Sequence, residues 1–159
     1  MIRTIGRPRT RRGLLTASGY AAGAWAAVYT AANVHWALGG TAVLGDTAHR
    51  GLPLFGPAPL AAAMGALGVV LALALVRPWG RGVPRWLLTT LGWIACVGPG
   101  AHAINGLGQE MLLDLGLLPA ALRTWSTGQT ALVEGFFLCG AVLFGVAVGD
   151  YLARQPQQN

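Results

Sequence analysis

Residues 57–76, PAPLAAAMGALGVVLALALV, decide the fold, because these twenty consecutive residues carry no charge. A helix needs about 20 apolar residues to cross the hydrocarbon core of a bilayer, which is roughly 30 Å thick. Three other apolar stretches have a similar length, at about residues 14–38, 86–107 and 126–151. The sequence therefore predicts an all-α membrane protein, a four-transmembrane-helix bundle that forms a single domain over residues 14–151.

The composition of the chain agrees with this interpretation. Hydrophobic residues make up 54% of the sequence and charged residues only 10%, whereas a soluble globular domain carries about 25% charged residues. The net charge of +6 comes from eleven arginines without any lysine, in a chain with 24 glycines, which suggests a bacterial protein encoded by GC-rich DNA. Because the arginines lie at the ends of apolar stretches, we expect them to orient the chain in a membrane, and we predict no nucleic-acid partner.

The arginines are distributed unequally between the two sides of the predicted bundle. Nine fall in the two tails and in the connection between the second and third spans: Arg3, Arg7, Arg9, Arg11, Arg12, Arg77, Arg81, Arg85 and Arg154. Only Arg50 and Arg123 fall in the other two connections. The positive-inside rule places the larger group in the cytoplasm, so we predict cytoplasmic tails at residues 1–13 and 152–159, an N-in/C-in topology in a bacterial cytoplasmic membrane, and membrane lipids as partners.

The N-terminal segment also has features of a targeting signal. Residues 10–15, TRRGLL, resemble a twin-arginine export signal. The apolar stretch that follows is longer than the 7–15 residues typical of a signal-peptide core. We interpret it as an uncleaved first span, with a cleaved signal as the alternative that the sequence leaves open.

The connection between the third and fourth spans has an amphipathic pattern. Residues 109–123 read QEMLLDLGLLPAALR, with leucines at helical spacing and the acidic residues on another face. This pattern is typical of a helix that lies in the membrane interface. We therefore predict a short outer interfacial helix between spans 3 and 4.

Glu134 is the most informative polar residue. It lies about eight residues into the fourth span, roughly 12 Å below the outer end at 1.5 Å per residue. An ionised carboxylate at that depth costs several kcal/mol, so it must be protonated, paired with another group or exposed to a wet cavity. Two interpretations follow, a functional carboxylate and a neutral one whose hydrogen bond stabilises the bundle.

The histidines nearest to this depth are the candidate partners of Glu134. His102, Asn105 and Gln109 share one face of the third span, and His35 lies near the outer end of the first. We predict a polar pocket in the outer half of the bundle, with Glu134, His102 and His35 as proton donors and acceptors in catalysis. The predicted ligand-binding residues are Asn33, Trp36, Asn105, Gln109, Asp114 and Trp125. For His35 the competing interpretation is a side chain that simply lies among lipid headgroups beside Trp36.

Several kinds of site lack their sequence signatures. The three histidines have no H-x-x-x-H or E-x-x-H spacing, and Cys96 and Cys139 are too far apart for a C-x-x-C pair. The chain also has no G-x-S-x-G nucleophile elbow and no phosphate-binding glycine loop. We therefore predict neither a metal ion nor a cofactor.

One short motif carries a family resemblance. Residues 33–41, NVHWALGGT, close the first span. They resemble the signature of an uncharacterised family of small bacterial four-helix membrane proteins, a domain of unknown function with a His-Trp-Ala-Leu-Gly-Gly-like motif. The resemblance implies a four-helix bundle, and it implies no known activity. In physical terms, Gly39 and Gly40 are suited to end a helix through a left-handed cap.

Three functions agree with these features. The first is a membrane-embedded protein that binds a lipophilic small molecule or a partner helix, as a homo-oligomer or within a membrane complex. The second is an acid–base enzyme, an isomerase, cyclase or hydrolase, acting on a lipid-soluble substrate through Glu134. The third is a small proton-coupled transporter that uses the same carboxylate.

Overall fold

The structure is a computed structural model that describes residues 9–42, 57–123 and 125–154, with side chains from residue 17 onward within these ranges. The predicted tails at residues 1–13 and 152–159 lie mostly outside the described residues. Of the twin-arginine-like segment only the backbone is described, and it belongs to the first helix.

Four long helices make up most of the described chain. They are α1 (Arg9–Ala37), α2 (Pro57–Val76), α3 (Arg85–Asp114) and α4 (Thr127–Arg154). Two short 3₁₀ helices lie in the connections, at Pro78–Gly82 and Ala120–Leu122. The described residues form no strand, so the prediction of an all-α chain is confirmed.

Three of the four helices are long and apolar enough to span a membrane, and these are α2, α3 and α4. Their most apolar 18-residue stretches have a mean hydropathy of 2.3, 1.3 and 2.2 respectively. α1 is not among them, since its glycines and polar residues lower its mean hydropathy. The described residues therefore contain three candidate membrane spans, and the fourth span stays a prediction.

The helices agree with the predicted spans in number and order, and they differ at some ends. α2 has the predicted bounds, residues 57–76, whereas α1 begins before residue 14 and α3 continues past residue 107 to Asp114. An apolar stretch predicts only the part of a helix that lipid can surround. The helix itself can continue into polar sequence until a glycine or proline ends it. α3 also continues through Pro99, although proline disfavours the interior of a helix.

The predicted interfacial helix over residues 109–123 is not a separate element. Its first half, Gln109–Asp114, continues α3, because no residue that disfavours helix precedes Gly116 in this stretch. Gly116 has a φ of 69°, a left-handed conformation that glycine adopts without steric cost. Only the 3₁₀ turn at Ala120–Leu122 remains as a short helix between α3 and α4.

The end of α1 agrees with the expectation of a glycine cap. Gly39 has a φ of 94°, and the amide of Gly40 donates a hydrogen bond to the carbonyl of His35 at 2.9 Å. This arrangement satisfies a carbonyl that the helix end leaves without a helical partner. The left-handed cap predicted for this motif is confirmed at Gly39.

The four helices run alternately up and down. α1 packs closely on α2, α3 packs closely on α4, and α1 and α4 join the two pairs, while α2 touches α3 and α4 less extensively. Two hydrogen bonds fix the α1–α4 pair: Trp25 Nε1 donates to the carbonyl of Phe136 at 2.9 Å, and Ser18 Oγ donates to Asp150 Oδ2 at 2.6 Å. Since the earlier residue of α1 contacts the later residue of α4, the two helices are antiparallel.

The apolar core lies toward the end of the bundle at which α2 ends, α3 begins and α4 ends. We call this the arginine-rich end, because it carries Arg77, Arg81, Arg85 and Arg154. The buried cluster draws on all four helices and includes Ala22, Ala26, Ala72, Leu75, Leu88, Phe144, Ala147, Val148 and Tyr151. Its many alanines allow backbones to approach closely, which is how helices associate where lipid is as apolar as the side chains. The polar residues of interest lie at the opposite end.

Candidate functional site

Glu134 lies on the interior stripe of α4. The buried residues Thr130, Glu134, Ala141, Phe144 and Val148 recur at intervals of three, four and seven residues, so they share the face that points into the bundle. Glu134 is only 4% exposed. Its Oε2 atom is buried and has no hydrogen-bond partner among the described residues.

Gly106 of α3 provides the space that the Glu134 side chain occupies. A Cβ atom at position 106 would overlap the Oε1 atom of Glu134 and would lie 2.9 Å from its Cγ. Any larger residue at this position would therefore displace the carboxylate. The absence of a side chain at Gly106 is what allows the carboxylate to lie against α3.

His102 is the nearest basic group to the buried carboxylate. It lies one turn before Gly106, and its Nε2 atom is 3.7 Å from Glu134 Oε2. That distance exceeds the 2.7–3.2 Å of an ordinary hydrogen bond, so the two groups are adjacent without a direct bond. The His102 ring packs on Phe137 with ring centroids 4.0 Å apart, and 52% of its side chain is exposed at the surface of the bundle.

A small cavity lies between α3 and α4 on the other side of the carboxylate. Its volume is about 70 Å³, and it is lined by Gly106, Gln109, Glu110, Leu113, Leu122, Arg123, Trp125, Thr130 and Glu134. This is room for roughly two to five water molecules. A drug-sized organic ligand needs about 300–1,000 Å³, so in this conformation the cavity can hydrate Glu134 but cannot enclose such a molecule.

Charged residues close the outer rim of this cavity. Arg123 forms an ion pair with Asp114 and lies 3.4 Å from Glu110 Oε1, which also accepts a hydrogen bond from Thr127 Oγ1 at 3.0 Å. The hydrogen bond to Asp114 raises the pKa of the Arg123 guanidinium above its ordinary value. These contacts tie the α3–α4 connection to both helices above the cavity.

The predicted residues of α3 and α4 mostly gather at this site. Gln109 and Trp125 line the cavity together with Glu134, and Asp114 takes part in the rim. Asn105 is exposed on the surface of α3 and does not line the cavity. It makes no side-chain hydrogen bond to another described residue.

The predicted residues of α1 do not reach Glu134. Asn33 is buried, and its Nδ2 donates to the carbonyl of Tyr29 on the same helix at 2.9 Å. Trp36 Nε1 donates to the carbonyl of Ala42 at 2.7 Å, and the exposed His35 ring lies against Gly40. The structure separates these residues from the site because α1 packs on α2 and α4 but hardly on α3.

Three components of the site were not predicted from the sequence. Gly106 and Thr130 were not considered, although each lies one helical turn from a predicted residue, four positions after His102 and four before Glu134. Arg123 was noticed only as an outer charge, and its position nine residues after Asp114 gave no indication that the turn would bring the two together. Spacing on a helix face was the available signal for the first two.

The described residues contain no group of three histidine, cysteine or acidic side chains placed to hold a metal ion. What the arrangement offers instead is an acid–base pair at the junction of two environments. His102 faces the surface of the bundle, and the cavity on the other side of Glu134 has room for water. Carboxyl and imidazole groups at such a junction can donate, accept and exchange protons.

Comparisons of the chain with models of protein families, with curated proteins and with solved structures found no match. The resemblance carried by residues 33–41 therefore stays a prediction.

Proposed function

We propose that this chain is a four-span protein of a bacterial cytoplasmic membrane that binds a lipid-soluble molecule through the Glu134–His102 pair. The ligand carries a hydrogen-bonding group, such as a carbonyl or hydroxyl. The observation that supports this most directly is the buried Oε2 atom of Glu134, without a hydrogen bond, beside a half-exposed histidine. A buried polar atom without a partner costs free energy, and a ligand that supplies the missing hydrogen bond would recover it.

The exposed face of α3 supports entry of the ligand from the bilayer. His102 and Asn105 are three residues apart, so they share a face of the helix, and both are exposed. A polar side chain that faces hydrocarbon lacks the hydrogen bonds that water would provide. Two such side chains side by side are suited to the polar head of a lipophilic molecule whose tail stays in the lipid.

The proposed fourth span rests on the packing of α1. α1 runs antiparallel to both α2 and α4 and contacts them between Ser18 and Thr30, so it lies beside two helices that are apolar enough to cross a membrane. With four spans, the arginine-rich end faces the cytoplasm by the positive-inside rule. The Glu134–His102 pair then lies in the outer half of the bundle.

The cavity favours acid–base catalysis on the bound molecule as a second candidate function. An enzyme of this type must restore the protonation state of its catalytic groups after each turnover. The cavity has room for the water that would exchange protons with Glu134, while the substrate would lie on the opposite side, at His102. Proton-coupled transport, the third function considered from the sequence, has no separate observation that favours it here.

Native mass spectrometry of the intact protein, extracted gently from its own membrane, tests the binding proposal. We expect a bound small molecule on the wild type and a clear loss of it from Glu134→Gln and His102→Leu. Asp150→Asn is the matched control, since it also removes one carboxylate from α4 but lies at the arginine-rich end, where Asp150 accepts a hydrogen bond from Ser18. An unliganded wild type, or equal occupancy in all four proteins, would contradict the proposal.

The same samples separate binding from catalysis. If the protein is an enzyme, wild type converts the extracted molecule on incubation, whereas Glu134→Gln incubated with the same molecule leaves it unchanged. If the protein only binds, the molecule released from wild type is chemically unchanged after incubation.

A further inference from the structure

A second and larger cavity opens at the arginine-rich end, far from the Glu134–His102 pair. Its volume is about 340 Å³, and three of its lining side chains are arginines: Arg77 and Arg81 after α2, and Arg154 at the end of α4. Leu75 and Tyr151, both buried, form part of its apolar wall. A cavity of this size is within the range of small-molecule sites.

The 3₁₀ helix Pro78–Gly82 builds one side of this cavity. The helix turns back over the end of α2, and its Gly80 is buried so closely that a Cβ atom there would overlap the carbonyl oxygen of Ala74. This backbone contact fixes the turn between Arg77 and Arg81. Both arginines are thereby held at the same mouth as Arg154, which arrives from α4.

The arginines of this cavity have few partners of their own. Arg154 Nε donates to the carbonyl of Asp150 at 3.1 Å, but its Nη2 atom is buried without a hydrogen bond to any described residue. Arg77 lies over the ring of Tyr20, with its guanidinium carbon 5.4 Å from the ring centroid, and its N–H donors make no hydrogen bond to a described residue. Since a guanidinium offers five N–H donors, the cavity holds many more donors than acceptors.

No carboxylate among the described residues neutralises this cluster. The only described acid at this end of the bundle is Asp150, and its carboxylate accepts a hydrogen bond from Ser18 on α1 and does not line the cavity. The cavity is therefore a concentrated positive region with a buried donor that lacks an acceptor. The chemistry that completes it is a multivalent anion with several oxygen atoms.

We propose that this cavity binds a phosphate group, and that the group belongs to the headgroup of an anionic phospholipid. Planar guanidinium groups bind phosphate oxygens through paired hydrogen bonds. Trp79 within the 3₁₀ helix and Trp86 at the start of α3 are both exposed, as is typical of the level of lipid headgroups. Basic pockets between membrane helices on the cytoplasmic side are suited to such headgroups.

A lipid titration of the purified protein in mild detergent, followed by native mass spectrometry, tests this proposal. The probes are a phosphatidylglycerol and a phosphatidylcholine with the same acyl chains, and separately inorganic phosphate. The variants are Arg81→Gln and Arg154→Gln. Arg85→Gln is the matched control, because Arg85 carries the same charge at the same end but does not line the cavity.

We expect wild type and Arg85→Gln to retain phosphatidylglycerol in preference to phosphatidylcholine. Each of the two cavity variants should bind phosphatidylglycerol about tenfold more weakly, as expected for the loss of a charge-assisted hydrogen bond. Saturation by inorganic phosphate that prevents lipid retention would assign the same cavity to a soluble phosphate compound. Equal lipid retention in all four proteins would overturn the proposal. An equal loss in Arg85→Gln would also overturn it, because lipid binding would then not depend on the arginines that line the cavity.

Discussion

Replacing Gly106 with alanine tests whether the missing side chain at this position gives the Glu134 carboxylate its space against α3. The added Cβ would overlap Oε1 of Glu134 and would stand 2.9 Å from its Cγ. Because the side chain is only 4% exposed, it cannot swing into the surroundings. The space it can enter is the cavity of about 70 Å³, and this movement takes it away from His102.

The magnitude follows from two opposing effects. Alanine in place of glycine within a helix gains roughly 0.5–1 kcal/mol from the backbone, and this gain applies equally to Gly108, where a Cβ would meet nothing within 4 Å. Forcing one extra carbon into a packed site costs about 1–3 kcal/mol. We therefore expect Gly106→Ala to be less stable than Gly108→Ala by about 1–3 kcal/mol.

Equilibrium unfolding in mixed micelles, followed by tryptophan fluorescence, measures this difference. The Glu134→Ala background supplies the decisive comparison, because it removes Oε1 and Cγ and with them the overlap. In that background the two glycine variants should agree within about 0.5 kcal/mol. If Gly106→Ala is as stable as Gly108→Ala while Glu134 is present, or if the difference persists without it, the assigned role of Gly106 is wrong.

The remaining predictions concern contacts between helices and one turn. Gly140→Ala should destabilise the protein by about 1–3 kcal/mol, because its Cβ would overlap the Trp25 ring. Gly135→Ala should not destabilise it, because a Cβ at position 135 meets nothing within 4 Å. Thermal unfolding of the two variants in detergent measures the difference, and equal melting temperatures would contradict the prediction. Trp25→Phe should cost about 0.5–1.5 kcal/mol through the lost indole hydrogen bond to α4, and the loss should be smaller than that of Trp25→Ala in the same assay. Gly80→Ala should be more harmful than Gly82→Ala, since it meets a backbone carbonyl that cannot rotate away; phosphatidylglycerol binding as well as stability should fall in the first variant only.

The parts of the fold that could be predicted are those that each segment encodes by itself. α2 has the predicted bounds because its charge-free residues coincide with the helix, which begins at Pro57 and ends before Arg77. The end of α3 was misplaced because Gln109–Asp114 is polar enough to resemble an interfacial segment, although it continues the helix without a break. Local sequence predicts which residues form a helix better than it predicts whether lipid, the membrane interface or other helices surround them.

The candidate site shows the same division. Spacing alone predicted that His102 and Gln109 share a helix face close to Glu134, and the structure places all three together. His35 was included because it lies at a similar depth, but nothing in four apolar segments reveals that α1 adjoins α2 and α4 instead of α3. Gly106 was not predicted because glycine has no side chain that could indicate a polar site. It matters only because the Glu134 carboxylate packs against it.

The packing of the first helix against the last has a consequence for synthesis of the protein on the ribosome. The buried cluster joins Ala22 and Ala26 of α1 to Phe144 and Val148 of α4, so it cannot close until translation has passed residue 148. During that interval α1, the least apolar of the four helices, has only α2 as a close neighbour. Translation thus proceeds through a stage in which α1 and α2 are complete while the buried cluster is still open, because the residues of α4 that close it come last in the chain.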